Sequence, residues 1–389
     1  MTTNSKKTIT QKQDSTTTLS LPDGVPSLRA FYLYMTTGCN LQCRHCWITP
    51  TFVRGVPSPG DCLSPELLNS AIDEALPLGL QSIKLTGGEP MMHPKFREIA
   101  KLITDRELRM DMETNGTLMT AEAAHFIKEE TNLNFVSVSL DSVDAKKHDH
   151  FRGVKGAFDA AVKGIENLVS VGFRPQVIMS PHRGNIDEID AMVEFATKLG
   201  AGSVKFNPVS CIGRGEDMHK KGEALVQSEV LNLIRYINED LVLRSSIRLH
   251  IGAPMALLSI DDILHDRWRG VCNVIHILGI LGTGHMAMCG IGRNIPELCY
   301  GELGKDSLKE IWETHPTLKK IRTDLTGEFP GICKECIHAR GCRTGCLAMN
   351  FSASGNLLHP SPLCQYAVDH NIFPETRKKT WSPETKDSA

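Results

Sequence analysis

Three cysteines in one short segment have the clearest chemistry in this sequence. Cys39, Cys43 and Cys46 show C-x3-C-x2-C spacing directly after a run of aromatic and aliphatic residues. Three thiolates on one loop can bind three irons of an iron–sulfur cube and leave the fourth iron open to another ligand. A structural zinc ion is the alternative, but it needs a fourth protein ligand. His45 lies between two of the cysteines, where joint coordination is awkward, so the spacing favours an iron–sulfur cluster.

A second group of cysteines lies towards the C-terminus. The chain has 13 cysteines, and eight of them follow residue 260. Their spacing is Cys333-x2-Cys336-x5-Cys342-x3-Cys346, then Cys364, with Cys272, Gly284 and Cys289 upstream. A zinc ribbon would explain a lone C-x2-C pair but not the whole series.

The N-terminus indicates the redox environment of these thiols. Residues 1–20 are polar and contain no apolar stretch, so they are not a signal peptide. We therefore expect a cytoplasmic protein, in which thiols stay reduced and clustered cysteines are more often metal ligands than disulfides.

Alternating strands and helices must position the first cysteine loop. Strands are predicted at 29–36, 81–86, 108–113, 135–140, 174–180 and 203–208, with helices at 65–78, 94–106, 121–130, 157–171 and 186–199. Ser64 and Pro65 are typical of a helix start, and Gly79 of a helix end. This alternation predicts an α/β fold with a parallel sheet and right-handed crossovers. Spacing alone leaves a partly open barrel and a doubly wound sheet as alternatives.

The alternation stops after about residue 210, where one more helix is predicted near 228–240. We expect a disordered tail at 1–26, a strand–helix domain at 27–240, a linker and cysteine-rich domain at 241–373, and a polar tail at 374–389. The cysteine-rich part is rich in loops, so we expect bound metal to supply much of its stability.

The first cysteine segment, TTGCNLQCRHCW, resembles the signature motif of the radical S-adenosylmethionine (radical SAM) superfamily, with His45 in the aromatic position. Further family landmarks follow in order at successive strand ends: GGEP at 87–90, TNG at 114–116, then Ser139 and Asp141, then HDHFRG with Arg152. The resemblance implies a partial (β/α)6 TIM-like barrel. It also implies that S-adenosylmethionine contacts His45, Gly87, Gly88, Glu89, Pro90, Asn115, Ser139, Asp141 and Arg152.

The roles implied for these residues agree with their chemistry. Active sites of α/β barrels form at the carboxyl ends of the strands, and a Gly-Gly pair allows close backbone approach. Glu89 would accept from the methionine ammonium group, and Arg152 would bind the carboxylate. The alternatives are a solvated loop acid for Glu89 and a surface ion pair for Arg152.

The C-terminal cysteines, with the connecting segment IPELCYGELGKDSLKEIW, resemble the SPASM domain, a small loop-rich auxiliary-cluster module. The resemblance implies that Cys272, Cys289 and Cys346 hold a first auxiliary cluster, and that Cys333, Cys336, Cys342 and Cys364 hold a second. Some relatives have a further ligand where this chain has Leu278. The resemblance therefore implies a first auxiliary cluster with either an open iron or Cys299 as its fourth ligand.

The resemblance implies three [4Fe–4S] clusters and S-adenosylmethionine as cofactors. Reductive cleavage of S-adenosylmethionine would give a 5′-deoxyadenosyl radical that abstracts hydrogen from the substrate. Two cysteines, Cys62 and Cys211, fit no cluster. They are predicted to be buried apolar residues or hydrogen-atom donors, and Cys211, after the sixth strand, is the better candidate for a catalytic residue.

The family resemblance favours a peptide maturase that crosslinks a ribosomal peptide or oxidises one of its side chains. In sulfatase maturases an Asp follows the second upstream cysteine and acts as a base, whereas this chain has Gly290. With about 28 residues before the first strand there is no room for a leader-binding domain, so leader recognition would need a separate protein or the barrel face. The alternatives are a small-molecule radical SAM enzyme, such as one that modifies a tetrapyrrole side chain in haem biosynthesis, and a non-catalytic iron–sulfur electron carrier.

Composition excludes several other classes. The net charge is −2, whereas a general nucleic-acid binder needs a basic surface. The longest mostly apolar run, at 274–281, is too short for a membrane span. The expected partners are a peptide substrate and an electron donor such as flavodoxin or ferredoxin.

Overall fold

The computed structural model describes residues 21–52, 60–264 and 273–379. Its ten strands are β1 Ala30–Tyr34, β2 Ser82–Thr86, β3 Arg109–Thr114, β4 Leu133–Ser139, β5 Gln176–Met179, β6 Ser203–Phe206, β7 Arg248–Ile251, β8 Ile277–Leu281, β9 His285–Ala287 and β10 Cys299–Glu302. They form one sheet in the order β10-β9-β8-β1-β2-β3-β4-β5-β6-β7. The predicted tails lie largely outside the described residues.

The sheet is parallel from β8 through β1 to β7, and antiparallel from β8 to β10. Strands β10 and β7 are its two edges, so it does not close. The predicted α/β fold with a partial barrel is confirmed. Strands β7 and β8 were not predicted, and they carry the sheet beyond the predicted boundary at residue 240.

Helices connect the strands. They are α1 Pro65–Ala75, α2 Phe96–Asp105, α3 Ala121–Glu130, α4 Ala145–Arg152, α5 Ala157–Ser170, α6 Ile189–Lys198, α7 Arg214–Lys220, α8 Gln227–Tyr236, α9 Val242–Arg244, α10 Ile260–Leu264, α11 Leu308–Thr314, α12 Pro316–Thr326, α13 Ile332–Glu335, α14 Ala339–Cys342, α15 Leu347–Ser354 and α16 Pro362–Asp369. None of the described helices has the length and apolar character needed to cross a membrane.

Local signals explain how the helices begin and end. The Ser64 side chain accepts a hydrogen bond from Leu67 N at the start of α1, as predicted, and Gly79 is left-handed at φ +102° after the following 3₁₀ turn. Helix α4 was not predicted, because its sequence AKKHDHFR lacks apolar periodicity. Asp144 caps it by accepting from Lys147 N, and its last residue, Arg152, reaches the barrel mouth.

One apolar core joins the barrel to the first C-terminal helices. Phe31 and Leu33 of β1 and Trp312 of α11 are all fully buried in it. The indole Nε1 of Trp312 donates to Pro26 O at 2.8 Å, just before β1. Apolar packing therefore holds α11 and α12 against the barrel. The same core extends into the segment after residue 330, where it includes Leu347, and the expectation that bound metal supplies much of the stability there stays a prediction.

Candidate active site

The loop after β1 carries the first three cysteines at the carboxyl end of the parallel sheet. Cys39 and Cys43 are buried, and Cys46 is partly exposed. Burial raises the thiol pKa of Cys39 and of Cys43, and the charge of neighbouring cysteines raises it further. Because burial disfavours thiolates, these sulfurs need a cation in order to ionise, and iron would supply it. The donor set fits an iron–sulfur cluster.

The described residues contain no group of three His, Cys, Asp or Glu side chains placed to bind a single metal ion. Cluster ligands bind different irons, so their sulfurs stand further apart than the ligands of one ion.

The backbone of the GGEP segment is hydrogen-bonded to the backbone of this cysteine loop. Glu89 N donates to Gly38 O at 2.9 Å, and Gly88 N donates to Thr36 O at 3.0 Å. A Cβ on Gly88 would lie 1.7 Å from Gly38 O, so only glycine fits. Gly87 has φ +129°, and Pro90 begins a 3₁₀ turn. The backbone that the glycines approach is thus the cysteine loop.

Glu89 is completely buried in the barrel mouth. Its Oε1 accepts from Thr114 Oγ1 at 2.7 Å and from Met91 N at 3.2 Å, and its Oε2 accepts from Asn115 N at 2.8 Å. Burial raises its pKa, while these hydrogen bonds and the Arg152 charge oppose the shift. A carboxylate has about four acceptor positions, so one remains for an ammonium group.

Asn115 ties strand β3 to the cysteine loop. Its Nδ2 donates to Asn40 Oδ1 at 2.8 Å and lies 3.9 Å from Cys39 Sγ. Its Oδ1 accepts from Thr117 N at 2.9 Å. The predicted landmark therefore contacts the loop, and its contact with S-adenosylmethionine stays a prediction.

Asp141 and Arg152 form a buried ion pair beside the second cysteine. Arg152 Nε donates to Asp141 Oδ2 at 2.5 Å, and Arg152 Nη1 donates to Cys43 Sγ at 3.5 Å. Asp141 Oδ1 accepts from Ser180 N at 2.8 Å. Although burial opposes it, the Arg152 charge holds the pKa of Asp141 below its usual value. Each carboxylate oxygen of Asp141 thus accepts one hydrogen bond, and its clearest contact is the ion pair with Arg152.

His45 belongs to a stack of three rings. Its imidazole is stacked on the Phe151 ring with the ring centres 4.5 Å apart, and the His182 imidazole is stacked on the same Phe151 ring at 4.2 Å. Burial lowers the pKa of His45 to about 3, and its Nδ1 is buried without a hydrogen-bond partner. The neutral ring is therefore free to accept or donate one hydrogen bond. Sequence reasoning missed His182, whose only signal was its place after the fifth strand.

Of the other residues predicted to bind S-adenosylmethionine, Ser139 ends β4 next to this network. Cys211 is exposed. The charges that act on its thiol come from Glu216 and Lys220 of helix α7, not from the cysteine loop, and its catalytic role stays a prediction. Cys62 lies 3.6 Å from Thr36 Oγ1.

The first auxiliary site is described in part, because Cys272 lies outside the described residues. The structure brings Cys289 near Cys346: burial raises the pKa of the Cys289 thiol to about 12, and the charge of Cys346 contributes. The thiol of Cys299 instead donates to Gly292 O at 3.2 Å, and burial alone raises its pKa. Leu278 is completely buried.

Two aromatic rings explain why position 290 is a glycine, and sequence reasoning missed both of them. A Cβ at this position would lie 2.4 Å from Tyr34 Cζ and 2.5 Å from Trp47 Cη2. The two rings meet edge to face, 6.1 Å apart. They fill the space between the first cysteine loop and Cys289, so an Asp side chain at 290 has no room.

Four further thiols line one small cavity in the C-terminal part. Cys333, Cys336, Cys342 and Cys364 are all buried. Burial raises the pKa of the Cys333 thiol to about 12, and the charges of Cys342 and Cys336 contribute. The structure thus brings together the four residues predicted to hold a second auxiliary cluster.

The comparisons with known proteins agree with this geometry. Residues 33–196 match the model of the radical SAM superfamily. The Fe-coproporphyrin III synthase of Methanosarcina barkeri is 31% identical and covers 76% of this chain and 73% of its own length. The AdoMet-dependent heme synthase of the same organism is 29% identical over 85% of this chain and 95% of its own length. The mycofactocin maturase MftC of Mycolicibacterium smegmatis is 28% identical over 85% and 81%.

Solved structures share the fold at low identity. SuiB of Streptococcus suis, bound to its precursor peptide SuiA, superposes with a TM-score of 0.68 at 15% identity, over 88% of this chain and 76% of that chain. The enzyme anSMEcpe with bound AdoMet has a TM-score of 0.66 at 20% identity, over 89% and 94%. The family binds S-adenosylmethionine and a [4Fe–4S] cluster, and the sequence match, the barrel and the cysteine loop together show that this chain belongs to the radical SAM superfamily.

Proposed function

We propose that this enzyme abstracts hydrogen from a ribosomal peptide and thereby crosslinks the peptide or oxidises a side chain. The observation that carries the radical chemistry is the convergence of Cys39, Cys43 and Cys46 with a buried carboxylate and a buried guanidinium. When bound, the [4Fe–4S] cluster and S-adenosylmethionine supply a 5′-deoxyadenosyl radical.

The chain's own residues bind and orient the reactants. Glu89 has one acceptor position for the methionine ammonium. Arg152, held by Asp141, places positive charge beside Cys43. The stacked rings of His45, Phe151 and His182 would keep water away from the cysteine loop. These contacts support binding at the barrel mouth.

The C-terminal part supports a peptide-modifying role. It contacts the barrel mouth directly, since Asn294 Nδ2 donates to Trp47 O at 2.8 Å and Ser352 Oγ donates to Cys211 O at 3.1 Å. Its two sets of cysteines would hold two auxiliary clusters, and these clusters would accept an electron from a product radical. The relative MftC, named as a maturase, aligns over 85% of this chain.

A second candidate substrate is a tetrapyrrole. The relative that favours it is the AdoMet-dependent heme synthase, which aligns over 95% of its length. Both candidates would use the same radical-generating site, and they differ in the substrate from which hydrogen is abstracted.

The test is an anaerobic incubation of the iron-loaded protein with S-adenosylmethionine and a reductant. One arm receives synthetic peptides encoded beside the gene, and the other receives iron coproporphyrin III. We expect 5′-deoxyadenosine by chromatography in both arms and a mass change in a peptide. A mass change in the porphyrin alone would transfer the proposal to the second candidate, and no 5′-deoxyadenosine in either arm would refute the radical chemistry. Iron analysis should give about 12 irons per chain, for three clusters.

A further inference from the structure

Arg214, the first residue of α7, has two guanidinium nitrogens without a partner among the described residues. Its Nε and Nη2 are buried and make no hydrogen bond, and none of the described residues forms an ion pair with it. Arg152, in contrast, is paired with Asp141. The Nε and Nη2 atoms of Arg322 also lack a hydrogen-bond partner, but its Nη1 donates to Trp312 O at 2.7 Å and its guanidinium lies over the Trp312 ring.

The backbone fixes Arg214 beside the first cysteine loop. Its N–H donates to Cys46 O at 3.0 Å. The preceding residue, Gly213, has φ +58°, and a Cβ there would lie 2.6 Å from Trp47 O. Glycine thus lets this loop press against the backbone of the cysteine loop.

Buried N–H groups of a guanidinium that have no acceptor are costly, because they have lost hydration and gained no hydrogen bond in exchange. Its planar fork matches a carboxylate better than any other common biological acceptor except phosphate. We propose that Arg214 binds a carboxylate that enters the barrel mouth, either the methionyl carboxylate of S-adenosylmethionine or a carboxylate of the substrate. The inference deepens the proposed function. Only the alternative in which Arg214 binds a substrate carboxylate rests on that function.

The test compares Arg214→Gln and Arg214→Lys with Arg183→Gln. Arg183 is an exposed arginine that pairs with Glu229 at 3.1 Å. The first arm measures the binding of S-adenosylmethionine and of decarboxylated S-adenosylmethionine to the iron-loaded protein. If the methionyl carboxylate is the ligand, Arg214→Gln should weaken only the first compound, by about 10- to 100-fold. Arg214→Lys should lie in between, and Arg183→Gln should match the wild type.

The second arm measures binding of a neighbouring-gene peptide and of iron coproporphyrin III, each as the free acid and as its methyl ester. If the substrate carboxylate is the ligand, Arg214→Gln should weaken only a free acid and leave S-adenosylmethionine unchanged. Equal affinities of Arg214→Gln and wild type throughout would overturn the proposal, and so would a loss of iron. If neither substrate probe binds the wild-type protein, the proposed substrates have failed, and the first arm alone decides the role of Arg214.

Discussion

The two cysteine-rich regions of this molecule differ in what surrounds the thiols. Around Cys39, Cys43 and Cys46 lie a buried carboxylate, an ion pair and an unpaired imidazole nitrogen. The cavity of Cys333, Cys336, Cys342 and Cys364 is lined mostly by apolar residues such as Pro254, Ile332 and Phe373. The barrel thiols thus stand among groups that can bind a polar ligand, whereas the C-terminal thiols face mainly each other. We infer that the first site binds a cluster and reactants, and the second binds a cluster alone.

The strongest test of this difference removes the barrel thiols. Replacing Cys39, Cys43 and Cys46 together by Ala should remove about four irons per chain and all cleavage of S-adenosylmethionine, since the open-iron cluster is lost. Iron analysis and chromatography of 5′-deoxyadenosine measure both effects. Cys62→Ala is the control, with iron and cleavage at the wild-type level. Cleavage retained by the triple variant would contradict the role of this loop.

The matching change in the second region is Cys336→Ala. It should lower the iron content and loosen the segment after residue 330, because loss of a ligand is also loss of folding free energy. Most of the apolar core lies within the barrel, so 5′-deoxyadenosine should still form while modified product falls to near zero. Product mass spectrometry and limited proteolysis of the same sample measure this separation. Normal product would show that the second auxiliary site is neither a redox partner nor a scaffold.

The next test asks whether the buried ion pair holds the barrel mouth. Asp141→Asn leaves the Arg152 guanidinium buried without its counter-charge, and this should lower the free energy of unfolding by about 3–5 kcal/mol. The comparison is Glu223→Gln, which breaks a 2.7 Å pair with Arg44 whose side chains are about a third exposed, with an expected cost below about 1 kcal/mol. Denaturant titration of the iron-loaded proteins measures both. Equal losses would show that burial does not distinguish the two pairs.

The repeating strand–helix part of the fold could be predicted from the sequence. The contacts between residues that are distant along the chain could not. Strand–helix alternation and the cap at Ser64 are local signals, and they were confirmed. Strand β7 has only four residues, too few for a clear period.

The candidate active site shows the same difference between local motifs and contacts of distant residues. The cysteine series and GGEP were visible as motifs, but Arg214 and Tyr34 were not. Arg214 matters because two of its nitrogens lack an acceptor among the described residues, and Tyr34 matters because it packs against Gly290. Neither property produces a pattern in the sequence.

The smallest expected effect comes from Glu89→Gln, and it tests how fully the polar site is built. An amide nitrogen placed at Oε1 would face Met91 N–H, and one placed at Oε2 would face Asn115 N–H, so either orientation sets two donors against each other. We expect a loss of about 1–3 kcal/mol in the free energy of unfolding, together with about 5- to 30-fold weaker binding of S-adenosylmethionine at unchanged iron content.

The control for this change is Glu98→Gln, an exposed acid 3.5 Å from Lys95, which should alter the free energy of unfolding by less than about 0.5 kcal/mol. Denaturant titration and equilibrium binding separate the two consequences of Glu89→Gln. A loss of stability with normal affinity would make Glu89 a structural acid that holds strands β2 and β3 together. A loss of affinity with normal stability would mean that the three hydrogen bonds seen here rearrange when the ligand binds. Only the joint loss supports a carboxylate that both fastens the barrel mouth and keeps one acceptor position for the ammonium group.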